Sequence, residues 1–184
     1  MKFPKMPSRR SSAQSELDSG VKRSTSAPPA MKECFPECIQ LADGRRAERI
    51  LCPRRSWDRT IQFYYNGHLG IPVGDIFRGK QVQDSQETVG IAGLSTVSLQ
   101  WPGYDSPEMC DVGRVTVSSK TIQDLAVELC TALYSFYNRA SKITPSVEDV
   151  PWTLFSQISL KDIVLGSIHF DAGVGVPDFY VLRM

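Results

Sequence analysis

Val97, Leu99 and Trp101 alternate with Thr96, Ser98 and Gln100, so residues 95–101 read as a half-buried strand. Pro102 has no amide to give a sheet ladder and fixes its own φ, which ends the strand there. Pro102-Gly103 fills the two central positions of a type II turn, because glycine takes φ > 0 without penalty. Such a turn lets the Trp101 carbonyl accept the Tyr104 amide. The reading favoured is a packed corner holding the strand against a helix; the alternative is a contact surface made by Trp101 and Tyr104.

The same alternation recurs in Ile61, Phe63 and Tyr65, a strand over about 59–65. Asn66-Gly67 after it is a hairpin turn, and His68–Val73 pairs back as far as Pro72 allows. Val73–Phe77 reads as a helical turn ending at Gly79, and 79–94 as a surface loop. Val115 and Val117 mark a short strand. The period then changes. Ile122, Leu125, Ala126, Leu129, Leu133, Phe136, Tyr137 and Ala140 recur at three- and four-residue spacing, with Gln123, Asp124, Glu128, Ser135, Asn138 and Arg139 opposite. This predicts a helix over 121–141, with Thr121 as N-cap and Asp124 placed to close a capping box. At roughly 1.5–3 kcal/mol for each large side chain buried, it supplies much of the core. After a polar connector at 141–151, Trp152, Leu154 and Phe155 return to the core. Ser159 and Asp162 open a helical turn through Leu165, Ile168 and Phe170 mark a strand, Gly173–Pro177 reads as a turn, and Phe179–Leu182 as a last strand. These elements predict an α+β domain over 57–184: a small, mostly antiparallel sheet with one principal amphipathic helix packed on one face.

Composition sets the N-terminal part of the 184-residue chain apart. Residues 1–31 are rich in Ser, Pro, Lys and Arg and poor in branched apolar side chains, so they read as a disordered leader. Residues 32–56 read as an Arg-rich connector. Residues 1–59 carry 13 Lys/Arg against 7 Asp/Glu, and 60–184 carry 8 against 13, so the net charge of +1 conceals a basic leader on an acidic body. The five cysteines are odd in number and irregular in spacing, and Met1–Lys5 opens no apolar signal segment. Both favour a reducing intracellular compartment, cytoplasmic or nuclear. No run has the apolar length that spans a bilayer, so no membrane partner is expected.

Arg23-Ser24-Thr25-Ser26-Ala27-Pro28 resembles the peptide bound by 14-3-3 proteins, with Arg23 as the upstream basic residue, Ser26 phosphorylated and Pro28 turning the chain out of the groove. Arg45, Arg46, Arg49, Arg54, Arg55 and Arg59 form a stretch able to contact phosphates, which keeps nucleic-acid binding as an alternative; no aromatic residues interleave it, and a solvated connector or an electrostatic clasp onto the acidic body fits it better. Cys34, Cys38, Cys52 and His68 lack the paired spacing of a zinc site, so no metal is assigned. For catalysis the chain offers two histidines, His68 and His169. His169 and Asp171 project to one side of a strand, which carries a hydrolase-like alternative, but no Gly-x-Ser-x-Gly elbow accompanies them, and Cys130 on the helix flank reads as packing. Gly173-x-Gly175 and Gly79-Lys80 each lack the rest of a nucleotide-binding motif, so no cofactor and no catalytic residue is assigned.

Leu99, Trp101, Pro102, Gly103 and Tyr104, then Thr121, Leu125, Ala126 and Phe136, then Trp152, Ile158 and Leu165, form an ordered set over about 57–172. In this set the chain resembles a family of uncharacterised small proteins of mushroom-forming (basidiomycete) fungi. In that family the end often reads Gly-Ser-Trp-Gln, whereas here Gly166-Ser167 is followed by Ile168-His169. The resemblance implies a shared fold and carries no activity. The function these readings favour is a non-catalytic protein-binding or adaptor module with a phospho-regulated tail.

Overall fold

Residues 163–182 form the longest hairpin of the chain, and most other strands are arranged against it. The computed structural model describes residues 36–50, 58–91, 94–104, 106–117, 120–145 and 147–182, all within one compact unit. Arg23, Ser26 and Pro28 therefore lie outside the described residues. In chain order the elements are β1 (Cys38–Gln40), β2 (Arg46–Arg49), β3 (Arg59–Gln62), β4 (Tyr64–Tyr65), β5 (His68–Leu69), β6 (Ile71–Pro72) and α1 (Val73–Phe77). There follow β7 (Leu94–Ser98), α2 (Pro107–Cys110), β8 (Asp111–Thr116), α3 (Ile122–Ala140), β9 (Ile163–Asp171) and β10 (Val174–Leu182). Two 3-10 turns, Val147–Trp152 and Leu160–Asp162, lie between α3 and β9.

β9 and β10 pair antiparallel along their whole length, and each outer edge is extended by two short strands placed end to end. On β9 these are β3, along Ser167–Phe170, and β6, at Val164–Leu165. On β10 they are β7, parallel at Val174–Gly175, and β2, antiparallel at Tyr180–Leu182. β1 completes the sheet beside β2, and β8 beside β7, while β4 and β5 form a separate hairpin. The fold is the expected α+β sheet, mostly antiparallel, with α3 on one face. The sheet reaches further toward the N-terminus than the pattern indicates: β1 and β2 lie inside the stretch that reads as a connector.

A bulge decides which side chains face the core. Phe179 lies opposite Leu165 and Asp178 opposite Ser167, so Gly166 is the extra residue of β9. A Cβ at Gly166 would collide with the Tyr180 ring, which is why the position takes glycine. The extra residue shifts the alternation by one. Ile163 and Leu165, then Ile168 and Phe170, face the main core, while Val164, Ser167 and His169 face the other side. There Ile39, Leu41 and Ala47 of the β1–β2 hairpin form a second, smaller core with Val164, Tyr180 and Leu182.

The turn expected at Gly173–Pro177 is corrected: the reversal is confined to Ala172-Gly173, and β10 runs straight through Pro177. The reason lies in the neighbours. Alternate β10 residues turn their backbone groups away from β9, since the Phe179 carbonyl accepts the Ile50 amide and the Gly173 carbonyl accepts the Thr96 amide. Pro177 points the same way, into the interval between the β7 and β2 pairings, where no ladder bond is demanded of it. Two other boundaries move: the strand expected over 95–101 ends at Ser98, and the turn at Ser159 gives way to β9 at Ile163.

α3 matches its pattern closely. Leu125, Ala126, Leu129, Leu133, Phe136, Tyr137 and Ala140 are buried, with Cys130 added. The capping box is formed: the Asp124 amide donates to Thr121 Oγ1 at 3.1 Å, and the Thr121 amide donates to the Asp124 carboxylate at 3.3 Å.

Candidate functional site

The corner at Trp101–Tyr104 has the expected turn, with the Tyr104 amide donating to the Trp101 carbonyl at 3.0 Å and Gly103 at φ +82°. Its rings are not a surface. Trp101 is 1% exposed and Tyr104 is 3% exposed, which corrects the contact-surface alternative. Trp101 Nε1 donates to the Trp152 carbonyl at 2.8 Å, the Tyr104 hydroxyl accepts the Leu154 amide at 3.3 Å, and the Tyr104 ring meets Phe136 edge to face. The corner thus fastens the 147–155 segment to β7 and α3.

His169 is fully buried on the second face of the sheet. Its Nδ1 lies 3.0 Å from Thr60 Oγ1, and its Nε2 lies 3.2 Å from Ser167 Oγ and 3.7 Å from Asp178 Oδ2. Arg49 Nε reaches the two Asp178 oxygens at 2.8 and 2.9 Å. The carboxylate set beside the imidazole is thus that of Asp178, on the neighbouring strand; Asp171 is half-buried at the end of β9. A hydroxyl approaches each ring nitrogen, Thr60 Oγ1 at Nδ1 and Ser167 Oγ at Nε2, with the Asp178 carboxylate on the Ser167 side. A hydrolytic relay also needs groups that a substrate can reach, and the imidazole, Ser167 and Asp178 are all buried. The arrangement can tie β2, β3, β9 and β10 together through a buried polar network. Cys130 is likewise inert packing: burial pushes its thiol up to about 12.

Among the described residues no group of three or more His, Cys, Asp and Glu side chains is placed to hold a metal ion, and Cys34 and Cys52 lie outside them. Of the arginine stretch, Arg45 pairs with Asp43, Arg49 with Asp178, and Arg59 donates to the Val89 and Gly90 carbonyls; Arg54 and Arg55 lie outside the described residues. A polar depression of about 210 Å³ is lined by Asp43, Tyr65, Asn66, Asp75 and Lys80. Its ammonium is already engaged, with Lys80 Nζ 2.9 Å from the Asp75 carboxylate and over the Tyr65 ring at 5.5 Å.

What the sequence reading missed is a ridge of exposed rings along α3. Phe77 of α1 is 47% exposed and meets Tyr134 of α3, itself 49% exposed, edge to face at 6.2 Å. One turn on, Tyr137 carries the ring of Phe155 at 3.9 Å, and Phe155 is 47% exposed. Val127, seven residues before Tyr134 on α3, and Ile143, just past its end, are also exposed. Phe155 holds φ +70°, a region a bulky side chain rarely adopts. Four backbone bonds between 153 and 158 keep it there, including Phe155 N–H to the Ile158 carbonyl at 2.9 Å. One sequence signal was available: Val127 and Tyr134, seven residues apart, interrupt the polar side of the helix. Phe77 and Phe155 carried none, because tertiary packing brings them there. No protein-family model, curated protein or solved structure matches the chain.

Proposed function

We propose that the chain is a non-catalytic protein-binding module that works inside the cell, in the cytoplasm or nucleus, with a phospho-regulated tail. The observation that carries this reading is the α3 ridge. Of the seven exposed large apolar side chains among the described residues, Phe77 and Tyr134 meet, and Phe155 packs on Tyr137 one turn along the same helix, held out by an unfavourable backbone angle. Clustered exposed apolar groups mark sites of association, whereas scattered ones do not. Aromatic rings are also the side chains that most often dominate association energies. The reducing compartment inferred from the cysteines supports the intracellular placement, and no helix among the described residues is long and apolar enough to cross a membrane.

The tail adds a second contact. Phosphorylation of Ser26 would place a doubly charged group three residues after Arg23 and two before Pro28, the arrangement a 14-3-3 groove reads. One capture experiment tests both contacts, using the full chain, Ser26→Ala, and Phe77→Ser/Tyr134→Ser as baits in native lysate. The reading expects 14-3-3 protein on the full chain, and its loss with Ser26→Ala or after phosphatase. It expects a separate set of partners that survives Ser26→Ala and is lost with the double substitution. Identical partners on all three baits would remove the reading.

A further inference from the structure

The rim of the ridge carries the chemistry its partner must match. Phe77 is followed by Arg78 and Lys80, whose side chains are 69% and 45% exposed. Lys142, exposed, precedes Ile143, and Lys161, also exposed, sits in the 3-10 turn that packs on α1. The nearby carboxylates are turned to internal work. Asp75 is held by Arg78 and Lys80 with its side chain 10% exposed, and Asp162 accepts the Ser159 amide at 3.2 Å. Asp124 closes the N-cap of α3, and Glu128 pairs with Lys120. Those carboxylates keep their charge, so Arg78, Lys80, Lys142 and Lys161 stand against Asp75 and Asp162, an excess of cations on a body that is net acidic over residues 60–184.

We infer that this ridge docks an acidic peptide segment bearing bulky apolar side chains, which seat against Phe77, Tyr134 and Phe155 while its carboxylates meet Lys142 and Lys161. The inference rests on the protein-binding reading above and adds the partner's chemistry. Ring geometry favours a peptide over a single-stranded nucleic acid. Phe77 and Tyr134 stand at 77° to one another, and the Tyr137 ring is covered by Phe155 at 41°. Stacked bases need a row of open, parallel faces, whereas crossed rings leave notches that fit aliphatic and aromatic side chains. Phe155 is fixed in its exposed position by its own loop, so little ordering is left for the binding step.

The test titrates the full chain into a fluorescein-labelled peptide of Glu, Leu and Trp and follows anisotropy. A counterpart with Lys for Glu and another with Ser for Leu and Trp serve as controls. The acidic apolar peptide is expected to bind at least about tenfold tighter than either control. Lys142→Glu/Lys161→Glu, both at exposed positions, is expected to weaken it by about tenfold and to narrow the gap to the Lys peptide. Phe77→Ser/Tyr134→Ser, checked for an unchanged helical circular-dichroism spectrum, is expected to abolish binding. Equal affinity for the Glu and Lys peptides, or no effect of the charge reversal, overturns the inference. The protein-binding reading survives that result if the aromatic double substitution still abolishes binding, and fails with it otherwise. Tighter binding to oligo(dT) or to phosphatidylserine vesicles than to the acidic peptide also overturns it. So does self-association in sedimentation velocity that the aromatic substitution abolishes, since the occupant would then be a second copy.

Discussion

Asp75 shows how a single side chain can record the competition between burial and pairing. Burial pushes its carboxyl up, but hydrogen bonds from Lys80 and Arg78 outweigh that and hold it below its ordinary value of 3.8. A carboxylate whose folded value is depressed stabilises the fold fully above its unfolded value and loses that contribution as pH falls through the folded one. Acidification below about pH 4 should therefore lower the melting temperature of the wild type more steeply than that of Asp75→Asn. Parallel curves would show that the pairing adds nothing. The same cations border the aromatic ridge, so the carboxylate also fixes where Arg78 and Lys80 stand.

α3 owes its start to two side chains. Thr121→Ala removes the hydroxyl that accepts the Asp124 amide and should cost about 1 kcal/mol in chemical denaturation, while Thr121→Ser should cost little. Elements of this kind were legible because their signals are local: a cap and its partner three residues on, a Pro-Gly corner, an Asn-Gly hairpin turn. β1 and β2 were not, because strands of three and four residues show too little alternation to stand out among arginines. Pro177 misled for a different reason. A proline ordinarily ends a strand, and what permits it here is an unpaired interval created by two strands far away in sequence. The candidate site was the least legible part, since two of its exposed rings come from outside α3 and gain meaning only beside it.

At the scale of the molecule, the β1–β2 hairpin closes the second face of the sheet. It brings Ile39, Leu41 and Ala47 against Val164, Tyr180 and Leu182, and Arg49 against the buried Asp178. A chain starting at residue 51 should therefore lose its cooperative thermal transition, because it exposes that face and leaves a buried carboxylate unpaired. A sharp transition close to that of the full chain would show that residues 36–50 are dispensable.

The end-to-end placing of short strands along β9 and β10 also governs the order in which the fold can assemble. β2, β3, β6 and β7 all find their partners in residues 163–182. The Arg49–Asp178 pair spans 129 positions and the Thr60–His169 bond spans 109. Closing loops of that length precedes any gain from the contacts they bring, which makes folding slow relative to a helical bundle of similar size. In a nascent chain β2 can pair with β1 and β7 with β8 beforehand, but β3 and β6 wait for β9 to clear the ribosome. α3, whose bonds are local, can form before then and offer the returning strands a surface to close on.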